Sequence, residues 1–195
     1  MKYIGHLDIM RYFQKAIRRS GLPIKYSEGF NPHQIMSFAA PLGVGITSDG
    51  EYMDIELKEF VPSKEAQERL QDTMVEGMKI ASFRYLPDNA QNAMSSVTAA
   101  SYLLSYKHPD EFPYTITELQ ASKKAFFDDA GIIPIIKKTK KGERELDLKP
   151  LIYDFNISEV CNSCGDSSIL FSLVVSTGST DNIKPELVLE HFFKH

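Results

Sequence analysis

Between Asp8 and Ser20 the apolar residues Ile9, Met10, Phe13, Ala16 and Ile17 recur at three- and four-residue steps. That period makes a helix with one apolar face, and the fold has to cover that face. Asp8 lies in the first turn and Arg18 and Arg19 in the last, both favourable to the helix dipole. Gly21 stops the helix and Pro23 prevents its continuation. Residues 23–26 then read as a short strand and residues 27–33 as a loop dense in turn formers. Residues 35–39 are apolar enough for a strand, 41–45 form a kinked connection and 48–50 a tight turn. Residues 51–57 alternate, with Tyr52, Asp54 and Glu56 on one side and Met53, Ile55 and Leu57 on the other. Residues 63–74 are a second helix with Ala66, Leu70 and Met74 on one face; Gly77 ends it, and 78–86 read as a strand.

The order through Leu86 is helix, strand, strand, helix, strand. One leading strand would complete β-α-β-β-α-β, the ferredoxin-like unit. Only Lys2-Tyr3-Ile4 remains for it, so that strand is very short or the chain lacks residues a full-length version would carry. Residues 87–98 are polar and rich in Asn, Ser and Ala, and read as a linker. The second half runs as a strand at 99–107, a helix at 115–130, a strand at 132–138, a charged turn at 139–144, strands at 151–160 and 169–175, and a helix at 185–193. The expected fold is therefore α+β: two ferredoxin-like units in tandem, 1–86 and 99–195, with antiparallel sheets and helices on one face. No residue-level repeat relates the halves, so the duplication rests on element order alone.

Chemistry is bounded by what is missing. The 195 residues are 43% hydrophobic, which excludes bulk disorder. No run of about 18 apolar residues exists to span a membrane. Two cysteines and no recognisable export signal lead to the expectation of a reducing cytoplasm. The net charge of −4 excludes a global pull toward nucleic acid but not a local basic patch.

Such a patch is present. Residues 1–40 hold six basic side chains (Lys2, Arg11, Lys15, Arg18, Arg19, Lys25) against two acids, Asp8 and Glu28. Arg11, Lys15, Arg18 and Arg19 fall opposite the apolar face of the first helix. They make either a solvated helix face or a surface for an anionic partner, whose binding would depend on salt. Gly29-Phe30-Asn31-Pro32-His33 is the most unusual stretch. It is either a rigid structural turn or a contact loop in which Phe30 stacks on a base beside Tyr26, Asn31 and His33. His6, Asp8 and His33 are the candidate acid–base groups should the chain be an enzyme.

Three other stretches carry weaker signals. Cys161-Asn162-Ser163-Cys164 is a C-x₂-C; it is half of a metal site, lacking two further ligands, or a pair of ordinary thiols. Lys137 to Lys141 with Arg144 form a second basic cluster at an expected hairpin tip. Asp181 or Asn182 is expected to cap the last helix. Gly43-Val44-Gly45 with Gly50 is not a dinucleotide fingerprint, because the third glycine is misplaced and no strand-to-helix turn follows.

His6-Leu7-Asp8-Ile9-Met10-Arg11, Tyr26-Ser27-Glu28-Gly29-Phe30-Asn31-Pro32-His33 and Ser37-Phe38-Ala39-Ala40-Pro41-Leu42-Gly43-Val44-Gly45 form a series that resembles the bacterial radical-SAM-linked protein family. The resemblance is dense over residues 3–57 and returns at 176–187. Members of that family, a domain of unknown function, are encoded beside or fused to a radical S-adenosylmethionine enzyme. The resemblance implies a context and a partner enzyme, not a reaction. The chain cannot be the radical enzyme itself, whose cluster signature needs three closely spaced cysteines where only Cys161 and Cys164 exist. The resulting expectation is a cytoplasmic accessory protein, without cofactor, that presents RNA (tRNA or rRNA) or another anionic substrate to that partner. Two alternatives stand beside it: a stand-alone RNA-modifying or RNA-processing enzyme, and a subunit that binds only protein.

Overall fold

A computed structural model describes residues 2–139, 142–161, 167–178 and 181–195. The chain divides into two compact units, one ending at Val97 and one beginning at Thr98.

In the first unit, α1 (His6–Ser20) is the expected amphipathic helix. It ends where Gly21 adopts φ +65°, a left-handed conformation open to glycine, and the Gly21 amide donates to Arg18 O at 3.3 Å. Two short antiparallel strands, β1 (Met36–Phe38) and β2 (Met53–Ile55), pair with Ser37 opposite Asp54. α2 (Ser63–Gln71) follows. The core gathers Ala16 and Ile17 of α1, Leu22, Ile24, and Ala66 and Leu70 of α2, with Met36, Met53, Ile55 and Leu57 packed against it. The apolar face seen in the sequence is thus covered by α2 and the small sheet.

Two strands expected in this unit are absent. Lys2 to Ile4 is not a strand; Lys2 instead accepts a backbone hydrogen bond from Gly45 at 2.7 Å. Residues 78–86 pack Ile80 and Phe83 on the core without joining a sheet. At Ile80 and Ala81, side chains of α2 supply backbone hydrogen bonds in place of a neighbouring strand. Gln71 Oε1 accepts from Ile80 N at 2.8 Å, and Gln67 Nε2 donates to Ile80 O at 2.9 Å and Ala81 O at 3.1 Å. Residues 23–26 are reduced to two isolated bridges, Ile24 to Leu57 and Tyr26 to Gln34. The expected linker carries a short helix, α3 (Ala93–Ser96), capped by Asn92 and held to β2 by Asp54 Oδ2, which accepts from Ala93 N at 2.6 Å.

The second unit opens with β3 (Ala99–Ser105) and α4 (Ile116–Lys123), which continues through a π-helical turn at Lys124–Asp128. Thr115 and Glu118 form a reciprocal capping box at the start of α4. β4 (Pro134–Thr139) and β5 (Gly142–Asp147) make a separate antiparallel hairpin. Of the charged turn expected at 139–144, Thr139 belongs to β4 and Gly142 to Arg144 belong to β5, in a ladder that sets Ile135 opposite Leu146. β6 (Ile152–Cys161) and β7 (Ser167–Ser176) follow, then α5 (Pro185–Phe192). The main sheet has the order β3-β7-β6, antiparallel throughout. Phe155, Leu173, Val175, Leu148, Val188 and Phe192 lie in its core.

The α+β class holds. The complete ferredoxin-like unit does not form among the described residues: the first unit has a two-stranded sheet and the second a main sheet of three strands.

Candidate functional site: the exposed side of the first helix and its hairpin

α1 buries Ala16, Ile17 and Ser20 and leaves Arg11, Lys15, Arg18 and Arg19 exposed. Steps of four and three place Arg11, Lys15 and Arg18 on one side of the helix, as neighbours. Their engagements differ. Arg11 meets Asp8 at 3.5 Å, but both side chains are largely solvated, and such a pair adds little and leaves the guanidinium accessible. The Lys15 side chain has no ion pair or hydrogen bond among the described residues. Arg18 Nε donates to Gln14 O at 3.3 Å, and no hydrogen bond engages its two terminal nitrogens among the described residues.

Arg19 and Lys25 do not join this group freely. Arg19 donates to Thr73 O at 3.0 Å, beyond the end of α2, and so ties the two helices together. Lys25 pairs with Glu56, and that hydrogen bond, with the charge of Glu56, raises the lysine above its ordinary pKa. Arg69 of α2, absent from the sequence reading, donates to Ser20 O at 3.1 Å and to Gly21 O, satisfying the carbonyls at the end of α1. No local pattern marks it, since its partners lie some fifty residues away.

The loop between Tyr26 and Gln34 is closed and stiff. Ser27 N donates to His33 O at 2.8 Å, His33 N donates to Ser27 Oγ at 3.1 Å, and Ser27 Oγ lies 2.8 Å from His33 Nδ1. Gly29 turns the chain at φ +112°. At the tip Phe30 is fully exposed, and Asn31, Pro32 and His33 are exposed beside it. The base of the loop is pinned to α1: buried Gln34 donates through Nε2 to Gln14 O at 3.2 Å, the same carbonyl that receives Arg18. Nε2 also approaches Tyr26 Oη at 3.5 Å, and Oε1 has no partner among the described residues. Lys58 lies 5.9 Å from the centre of the Tyr26 ring. Gln34 thus joins the loop to the cationic side of the helix. The sequence offered no sign of this, because a lone glutamine after a turn reads as surface.

The candidate acid–base residues are engaged separately. His6 packs edge-on against Phe38, with centroids 5.7 Å apart, Asp8 meets Arg11, and His33 is held by Ser27. No hydrogen bond links His6, Asp8 and His33 to one another. In the second unit Cys161 is exposed at the end of β6, while Cys164 lies outside the described residues, as do Lys140 and Lys141 of the second basic cluster. Neither Asp181 nor Asn182 caps α5. The helix starts after Lys184 with Pro185 in its first turn, and Asn182 Oδ1 instead accepts from Thr177 Oγ1 at 3.4 Å. A cleft of about 290 Å³, lined by Tyr106, Phe112, Tyr114 and Glu159, escaped the sequence reading because separate segments build it.

Fold and site define an α+β protein that presents a cationic helix side next to a rigid hairpin with an exposed aromatic tip. Residues 1–185 match the model of a family described as "Uncharacterized protein conserved in bacteria (DUF2344)", and the chain belongs to that family. No curated protein and no solved structure matches it. Among the described residues no helix is long and apolar enough to cross a membrane.

Proposed function

We propose that the first unit binds RNA, with Arg11, Lys15 and Arg18 neutralising phosphates and Phe30 meeting an unpaired base, and that it does so as an accessory to a partner radical S-adenosylmethionine enzyme. One observation carries the RNA reading: Gln34 and Arg18 share the Gln14 carbonyl, so a stiff hairpin with a bare phenylalanine stands beside a row of accessible cations. Phosphate contacts supply affinity and an aromatic face supplies sequence-tolerant stacking. The partner enzyme rests on the sequence resemblance. A non-catalytic role accords with the separate engagements of His6, Asp8 and His33.

The test is fluorescence anisotropy with an unstructured RNA at two salt concentrations. Salt-dependent binding that weakens on removal of Lys15 or Arg18 supports the reading. Binding that ignores salt, or none at all, rejects it in favour of a subunit that binds only protein. Copurification of the native complex tests the partner.

A further inference from the structure

Side chains along β6 alternate between the two faces of the main sheet. Phe155 and Ile157 lie in the core, opposite Leu173 and Phe171 of β7. The next position on that face is Glu159, opposite Ile169. Ile169 packs against the core, so the alternation sets a carboxylate where another apolar side chain would continue it. Glu159 is exposed, and its side chain has no ion pair or hydrogen bond among the described residues.

The segment between β3 and α4 brings aromatic rings to the same place. Tyr106, Phe112 and Tyr114 line the cleft of about 290 Å³ together with Glu159. Phe112 stands 5.0 Å from the Tyr106 ring centre and 5.7 Å from that of Tyr114. Phe193, just after α5, stacks on Tyr114 at 5.7 Å and 25°. It is not among the residues that line the cleft, so the end of that helix braces the ring without filling the space. Thr115 also lines the cleft, but its amide and hydroxyl both donate to Glu118 at 2.8 Å in the capping box. Glu159 is the one charged side chain among the described residues that line it.

These groups select the charge of a ligand. The face of an aromatic ring attracts a cation, and a carboxylate neutralises one. A neutral ligand would take Glu159 out of water without a counter-charge, and an anion would be repelled. The volume lies at the small end of ligand sites, which suits an amine of a few heavy atoms and not a nucleotide. We propose that this cleft binds a small alkylammonium cation, with Glu159 neutralising the charge and Tyr106 and Tyr114 flanking the alkyl groups. The site lies wholly in the second unit and does not rest on the RNA reading.

The test is titration of the full chain with choline chloride and with butylammonium chloride, followed by ring-proton and amide resonances in two-dimensional NMR. The dimethylbutanol that copies the shape of choline without its charge is the control, and adenosine is added in a separate arm. Either cation should shift the resonances of Tyr106, Tyr114 and Glu159 saturably in the millimolar range, and the neutral alcohol should bind about tenfold more weakly or not at all. Glu159→Gln keeps the size of the side chain and removes its charge; it and Tyr106→Leu should each weaken the cation about threefold or more. Asp154→Asn, on the other face of β6, should leave binding unchanged. Far-UV circular dichroism checks that the variants fold alike. No saturable shift with either cation, equal binding of the neutral alcohol, a Glu159→Gln variant that binds as well as the natural chain, or a cleft that takes adenosine in place of the cations would each overturn the proposal. Should Tyr106→Leu not fold, the Glu159→Gln comparison decides alone.

Discussion

RNA binding by the first unit should have a salt dependence set by three cations, not by the five that the sequence places between Arg11 and Lys25. For a single strand the logarithm of affinity falls with the logarithm of salt at about 0.7 per phosphate neutralised. Arg11, Lys15 and Arg18 lie along one side of α1, whereas Arg19 keeps its charge but is anchored toward α2 by Thr73 O, and Lys25 is paired with Glu56. Three contacts give a slope of about −2, or roughly twentyfold weaker binding between about 50 and about 200 mM salt. Five would give about −3.5 and a loss of more than roughly a hundredfold. Anisotropy of a labelled unstructured RNA across that range measures the slope directly. Lys15→Gln and Arg18→Gln should each make it shallower by about 0.7, while Lys25→Gln should leave it unchanged. A slope near −3.5 that Lys25→Gln reduces, or one that no substitution on α1 alters, refutes the assignment of the contacts.

Phe30→Ala should weaken the same RNA by about fivefold to a hundredfold, the value of one stacked base, without changing the salt slope or the melting temperature, since the ring is fully exposed. Phe155→Ala removes a ring that is 1% exposed in the second unit, and should lower stability by about 3–5 kcal/mol in urea unfolding. Glu118 is held below its ordinary pKa by the hydrogen bonds from the Thr115 backbone and hydroxyl. Its contribution is present above the unfolded value of 4.5 and disappears as pH falls through the lower folded value, so Glu118→Ala should flatten the acid limb of the stability profile. Lys25 behaves in the opposite sense. Raised by Glu56, it stabilises below the unfolded value of 10.5, and that contribution is lost as pH rises through the folded value; thermal melts of Lys25→Met and the natural chain should converge in strong alkali.

Local rules sufficed for the parts whose signal lies in neighbouring residues. The period of Ile9, Phe13, Ala16 and Ile17, closed by Gly21, was enough to locate α1 and its buried face, because helical spacing and a left-handed stop are both short-range. The basic side of that helix followed from the same spacing, and the turn at Gly29 from its composition. Long-range contacts decided the rest. Gln67 and Gln71 bind the backbone of Ile80 and Ala81, Arg69 closes the end of α1, and Gln34 ties the hairpin to Gln14. Which cations remain accessible was decided in the same way. Arg19 and Arg18 look alike in the sequence, and only the fold anchors one toward α2 through Thr73 and leaves the other beside Gln14 on α1. Periodicity records which face a residue takes, but a hydrogen bond across fifty residues exists only once the chain has folded.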